Sequence, residues 1–154
     1  MVKHSLITKT QAKILQTLDF HEAVCGYYDK VNNFCSYKSS PTDCNHPSLR
    51  MRWISMPTVD EVIDWLRRKH NIIIYNKIEP FVDPADQTHK TILFRFGVKQ
   101  CDTKHLGWNG RVNIGETRLS KNVYSLKREA VNIALKYILK SYGEHTKSTE
   151  SPSS

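Results

Sequence analysis

Glycine is scarce in this sequence, at 6 of 154 residues, and none of the six builds a glycine-rich phosphate loop. A G-x-S-x-G elbow and an H-E-x-x-H pair are also missing, so the common hydrolase and zinc-protease signatures are excluded. Cysteine is limited to 4 residues, with no two close enough to form C-x2-C. No apolar run approaches the roughly 18 to 20 residues that span a bilayer, and the opening Met1-Val-Lys-His-Ser-Leu-Ile-Thr-Lys has no hydrophobic signal core. The expectation is a cytoplasmic protein with no membrane association. Acidic residues are in deficit, 15 against 23 Lys and Arg, which leaves a formal charge of +8 and favours an anionic partner such as nucleic acid.

What is present describes a folded chain, 39% hydrophobic and 25% charged, of single-domain length. Along the sequence the charge excess is spread evenly: +3 over residues 1–56, +2 over 57–119 and +3 over 120–154. No segment is a polybasic arm, so folding must assemble any basic patch. The turn-rich stretch Ser36 to Ser48, with Pro41 and Pro47, separates an N-terminal element (residues 1–50) from a main body (51–143). The last stretch, 144–154, has no apolar anchor and reads as a disordered tail.

Thr58-Val-Asp-Glu61 has capping-box spacing, and Val59, Val62, Ile63 and Leu66 follow on one helical face. Asp60 and Glu61 at the start and Arg67 to His70 at the end complement the helix dipole. Three strands are expected next. The first runs from Ile72 to Ile78 and ends ahead of Pro80. The second covers Thr91 to Gln100, with Ile92, Phe94, Phe96 and Val98 on one face and Arg95 and Lys99 on the other. The third follows a Trp108-Asn109-Gly110 turn, with Val112 and Ile114 inward. A final helix spans Leu126 to Tyr142, with Ser125 as its cap and Gly143 just beyond it. Its apolar rows are Ala130-Ala134-Ile138 and Val131-Leu135-Leu139, opposite a wet row of Arg128, Asn132, Lys136 and Lys140. The fold expected is α+β: an α-β-β-β-α core whose antiparallel sheet carries two helices on one face. In the N-terminal element, a short helix over Thr8 to Phe20 turns Ala12, Leu15 and Leu18 inward, and a small hairpin pairs Ala23–Tyr28 with Asn33–Tyr37.

Cys25, Cys35 and Cys44 with His46 raise a metal reading, left open because the spacing lacks the close pair that aims two thiolates at one ion; the alternative is a set of reduced thiols. His21 and His105 combine with Cys25 or Cys101 into nucleophile and base only as unspecific pairs, so no catalytic residue, cofactor or small-molecule substrate is expected. Lys127 and Arg128 are expected in the first turn of the last helix, where the dipole disfavours them and a bound phosphate reverses the argument. With Lys136, Lys140, His89, Lys90 and Lys121 they form the candidate nucleic-acid surface. Trp53, Trp108 and the Tyr27-Tyr28 pair are the anchors for an alternative partner, a host protein.

Residues 57–140, with the α-β-β-β-α order, His89-Lys90 and Lys127-Arg-Glu-Ala130, resemble the double-stranded RNA-binding domain, which implies duplex binding by shape and charge. They depart from it at Val131, where that family carries a lysine, and in the loop Thr117 to Tyr124, which lacks its glycine. A second resemblance runs from residue 8 to 140. Cys25-Gly-Tyr-Tyr-Asp29, Pro57-Thr58 with Trp65-Leu-Arg67 and Ile72, Glu129-Ala130 and Leu135-Lys-Tyr-Ile-Leu139 are similar to small uncharacterised proteins of Bacteroides phages and mobile elements. It implies an accessory protein that acts by binding.

Overall fold

A computed structural model describes residues 5–83, 85–101 and 111–149. The elements are α1 (Lys9–Thr17), β1 (Val24–Asp29), β2 (Phe34–Thr42), β3 (Trp53–Ser55), α2 (Val59–His70), β4 (Ile72–Asp83), β5 (Asp86–Cys101), β6 (Arg111–Glu116) and α3 (Val123–Thr149). The fold is α+β with two three-stranded antiparallel sheets, ordered β2-β1-β3 and β4-β5-β6. Contacts divide the chain between Trp65 and Leu66, inside α2. The boundary expected near residue 50 therefore moves to the middle of a helix.

In the first unit, Thr8 caps α1 through a reciprocal pair with Gln11, and the helix stops at Thr17 because Asp19 takes a left-handed conformation (φ 58°). Asn33, also left-handed (φ 55°), closes the turn between β1 and β2, and its Oδ1 accepts the Tyr28 hydroxyl at 2.5 Å. The expected hairpin is thus present, and β3 extends it into a sheet. Three residues are too few to show periodicity, so no local pattern marks this strand. One face is buried through Val24, Tyr28, Ile54 and Met56, and Ala12 and Leu15 of α1 are fully buried. Phe20 meets Trp65 edge-on at 5.2 Å.

Asn45, 1% exposed, ties this unit together. Its Nδ2 donates to the Phe20 carbonyl at 2.8 Å, while its Oδ1 accepts the Ser55 N–H at 3.1 Å and the Gln16 side chain at 3.2 Å. Gln16 Nε2 also reaches the Trp53 carbonyl at 3.3 Å, so one buried amide links α1, β3 and the loop between β2 and β3.

In the second unit, α3 lies across the β4-β5-β6 sheet. Ile72, Phe96 and Val98 of the sheet are buried, as are Leu126, Ala130, Val131, Ala134, Leu135 and Ile138 of the helix. The expected pair of helices on this face is corrected in part, because Val59, Val62 and Trp65 of α2 belong to the first unit. The Thr58–Glu61 capping box is present, with reciprocal bonds of 3.1 and 3.2 Å.

Several features differ from expectation, among them the start of β5 at Asp86 rather than Thr91 and four others. Asn122, not Ser125, caps α3: its Oδ1 accepts the Ser125 N–H at 3.1 Å. The helix passes through Gly143, where an added Cβ would meet nothing within 4 Å, and reaches Thr149, so residues 144–149 are helical; 150–154 lie outside the described residues. Val112 is 53% exposed rather than inward, and the Trp108-Asn109-Gly110 turn lies outside the described residues.

The fourth is β4, which continues through Pro80. Phe94 exchanges backbone bonds with Ser120, so its polar groups point away from β4. Its partner Ile78 then directs N–H and C=O to the outer edge, as does Pro80 two residues on. Proline therefore removes a donor only from the free edge of the sheet, where it discourages edge-to-edge pairing.

Two outcomes are expected. Asn45→Ala orphans the Phe20 carbonyl and Ser55 N–H and lowers stability by about 2–3 kcal/mol in a urea melt followed by tryptophan fluorescence. Pro80→Thr restores an edge donor and raises the fraction of oligomers in sedimentation velocity.

Candidate nucleic-acid interface

Cutting the chain at the structural boundary changes the charge picture. Residues 1–65 carry 7 basic and 7 acidic side chains, whereas residues 66–154 carry 16 and 8. The whole formal excess of +8 belongs to the second unit.

On α3, helical geometry separates the expected basic residues. Lys127 and Arg128 fall in the second turn, because the helix starts at Val123, and the dipole penalty expected for them fades there. Lys127 and Lys136 are nine residues apart, which at 100° per residue sets them on opposite sides of the helix. Lys127 Nζ stands 5.8 Å from the Tyr124 ring, and both Lys127 and Arg128 are half-buried. Lys136 and Lys140 are exposed one turn apart, and Lys121 is exposed just ahead of the Asn122 cap. His89 and Lys90 belong to β5, with side chains outside the described set. The seven residues therefore do not form one face of α3. Val131, at the position where the RNA-binding family carries a lysine, is fully buried.

The sheet face opposite Phe96 and Val98 supplies what the helix alone does not. Register sets Ile73 beside Lys99, Tyr75 beside Gly97 and Lys77 beside Arg95 on this side. The Tyr75 ring lies directly over Gly97, so closely that a Cβ there would collide with the ring carbons and hydroxyl. Lys99 Nζ and Lys77 Nζ stand 5.1 and 5.7 Å from the ring centroid. Ile73, Tyr75, Lys99 and Cys101 line an open depression of about 240 Å³.

Two of the three cations on this face are neutralised. Glu116 bonds Lys77 and lies 3.4 Å from Arg95, which also lies 3.6 Å from Glu79. The Lys77 ammonium, reinforced by Arg95, holds the Glu116 carboxyl below its usual range, and Glu116 in turn raises Lys77. Among the described residues, no carboxylate stands at ion-pair distance from Lys99. A second depression, of about 270 Å³, lies between α3 and β5, but its polar groups face each other: Tyr137 donates to Gln100 Oε1 at 2.6 Å. Burial lowers the pKa of neighbouring His70, which keeps it neutral near pH 7.

The first unit carries an aromatic cluster on its outer face. Tyr27 and Trp53 meet at 5.2 Å, with Lys38 Nζ 3.9 Å above the Trp53 ring. Tyr28, expected as a partner of Tyr27, points to the other face and is 8% exposed. Trp108 and His105 lie outside the described residues. Cys35 pairs with Tyr28, whereas Cys25 sits at the register shift between Val24 and Gly26 and pairs with no residue of β2. Burial pushes the Cys44 thiol up, and no group of three or more metal-ligating side chains gathers among the described residues. Among those residues, no helix is long and apolar enough to cross a membrane. No family model, curated protein or solved structure matches the chain.

Sequence reasoning assigned Lys99 to the solvent face but missed Tyr75 as its neighbour. The available signal was Gly97, a side-chain-free position within a strand.

The Glu116 pKa is depressed, so its contribution to stability is complete above about pH 4.5 and is lost as pH falls through the lowered folded value. Glu116→Gln is expected to lower the melting temperature at pH 7 and to flatten its fall below pH 4.5.

Proposed function

We propose that this chain is a non-enzymatic accessory protein, of phage or mobile-element type, that binds nucleic acid through its second unit. The observation that carries this reading is the segregation of charge: 16 basic against 8 acidic side chains after Trp65, and none in excess before it. A polyanion is attracted by such a field, and its affinity derives from releasing counterions. Lys99 on the open sheet face, with Lys136, Lys140 and Lys121 on and ahead of α3, are the cations assigned to phosphate contact. No catalytic residue or cofactor enters the reading.

A second reading, a host-protein partner, is favoured by the first unit. That unit is formally neutral, and Phe34, on the same side of the β1–β2 ladder as Tyr27, is 48% exposed.

Fluorescence anisotropy with labelled 20-mer DNA and RNA, single-stranded and duplex, tests the first reading. Binding is expected at low salt, weakening linearly in log–log form as salt rises, and Lys136→Glu with Lys140→Glu should lower both affinity and slope, by about one unit of slope per lost phosphate contact. Absence of binding at low salt overturns it. Recovery of a partner that survives nuclease and is lost with Trp53→Ser supports the second reading instead.

A further inference from the structure

Within the nucleic-acid reading just given, the outer face of the β4-β5-β6 sheet specifies the kind of nucleic acid. A glycine inside a strand is destabilising relative to alanine, because it loses more backbone freedom on folding and packs no side chain. Here, the Gly97 position is what lets the Tyr75 ring lie against the sheet backbone. That ring forms one wall of the depression, Ile73 adds an apolar wall, and the Lys99 ammonium stands at the edge. The Lys77–Glu116–Arg95 network flanks the ring and satisfies its own charges. A flat aromatic surface, an apolar neighbour and one cation without a carboxylate partner among the described residues match three parts of a nucleotide: base, sugar and phosphate.

We infer that this depression binds single-stranded nucleic acid, one base stacking on Tyr75 with its phosphate at Lys99. A duplex does not fit this chemistry, because its bases are stacked on each other and offer no free π-face. The two lysines, whose ammonium groups lie over the ring at 5.1 and 5.7 Å from its centroid, move aside to the phosphates as a base stacks and need no hydrogen bond to any particular base. The site therefore tolerates different bases and discriminates by strandedness.

Three labelled 12-mers separate the components: a single strand containing 2-aminopurine, its duplex, and an abasic strand with the same number of phosphates. The deoxy and ribo forms are compared as sources of the same chemistry. The single strand is expected to bind about tenfold or more tightly than the abasic strand or the duplex, with quenching of 2-aminopurine fluorescence. Tyr75→Ala should bring its affinity to the abasic level and abolish quenching, while Tyr75→Phe, which keeps the ring, should retain both. Lys99→Ala should reduce the salt slope by about one for single and abasic strands alike. Equal affinity for all three probes with no quenching overturns the stacking site and leaves a phosphate-only surface. If no probe binds at low salt, the nucleic-acid reading and this inference both fall.

Discussion

The missing side chain at Gly97 is the constraint on which the open face of the second unit depends. Strands β4 and β5 are paired over nearly their whole length, so the space above each residue is set by its neighbour across the ladder. Any Cβ at this position would lift the Tyr75 ring off the backbone. Seated as it is, the ring separates Lys77 from Lys99, and the two lysines meet different fates. Lys77 reaches Glu116 on β6, while Lys99 faces the depression with Ile73 and Cys101. Aromatic cover of a strand glycine is a stabilising device in its own right. What distinguishes this case is the company the ring keeps: two ammonium groups over it and an open apolar hollow beside it.

The first unit is organised by a buried amide instead. Asn45 occupies both ends of its side chain, and the Gln16 side chain beside it extends the network to the Trp53 carbonyl. Lys30 Nζ joins from the other side, bonding Gln16 Oε1 at 3.2 Å and the Arg50 carbonyl at 2.9 Å. The backbone that carries Trp53 is therefore held by polar groups whose replacement leaves donors or acceptors without partners. Both units share one design rule: a three-stranded sheet buries one face and leaves the other to residues that tolerate water. They differ in how that second face is charged.

Much of the fold was legible because long elements repeat their pattern. The capping box at Thr58 and Glu61, the alternation from Ile92 to Val98 and the apolar rows of α3 each rest on several residues agreeing. Short or context-dependent features were not. The start of α3 was misjudged because Val123 and Tyr124 are poor helix formers and both Asn122 and Ser125 are good caps; tertiary contact at Ser120 settles the choice. Pro80 looks like a strand terminator until one knows which edge its nitrogen faces. The candidate site was the least legible part. Lys99 was visible as a solvent-side residue, but its relation to Tyr75 requires the β4–β5 register, which no local pattern fixes.

The segregation of charge has a partly structural origin, and that origin decides which residues a ligand must use. Acidic residues at the start of α2 and basic ones at its end satisfy the helix dipole. Because the boundary between units cuts this helix, the dipole rule alone assigns Asp60 and Glu61 to the first unit and Arg67, Arg68 and Lys69 to the second. Without these five residues the units would stand at +2 and +5 rather than 0 and +8. The surplus that a partner must explain is therefore the smaller one, and the basic end of α2 is accounted for by its own helix. Lys127 and Arg128 leave the argument as well, once α3 begins four and five residues before them. In the second unit, described cations for which neither a favourable dipole nor an ion-paired carboxylate gives a reason include Lys99 on the sheet, Arg118 and Lys121 ahead of α3, and Lys136 and Lys140 on its exposed side.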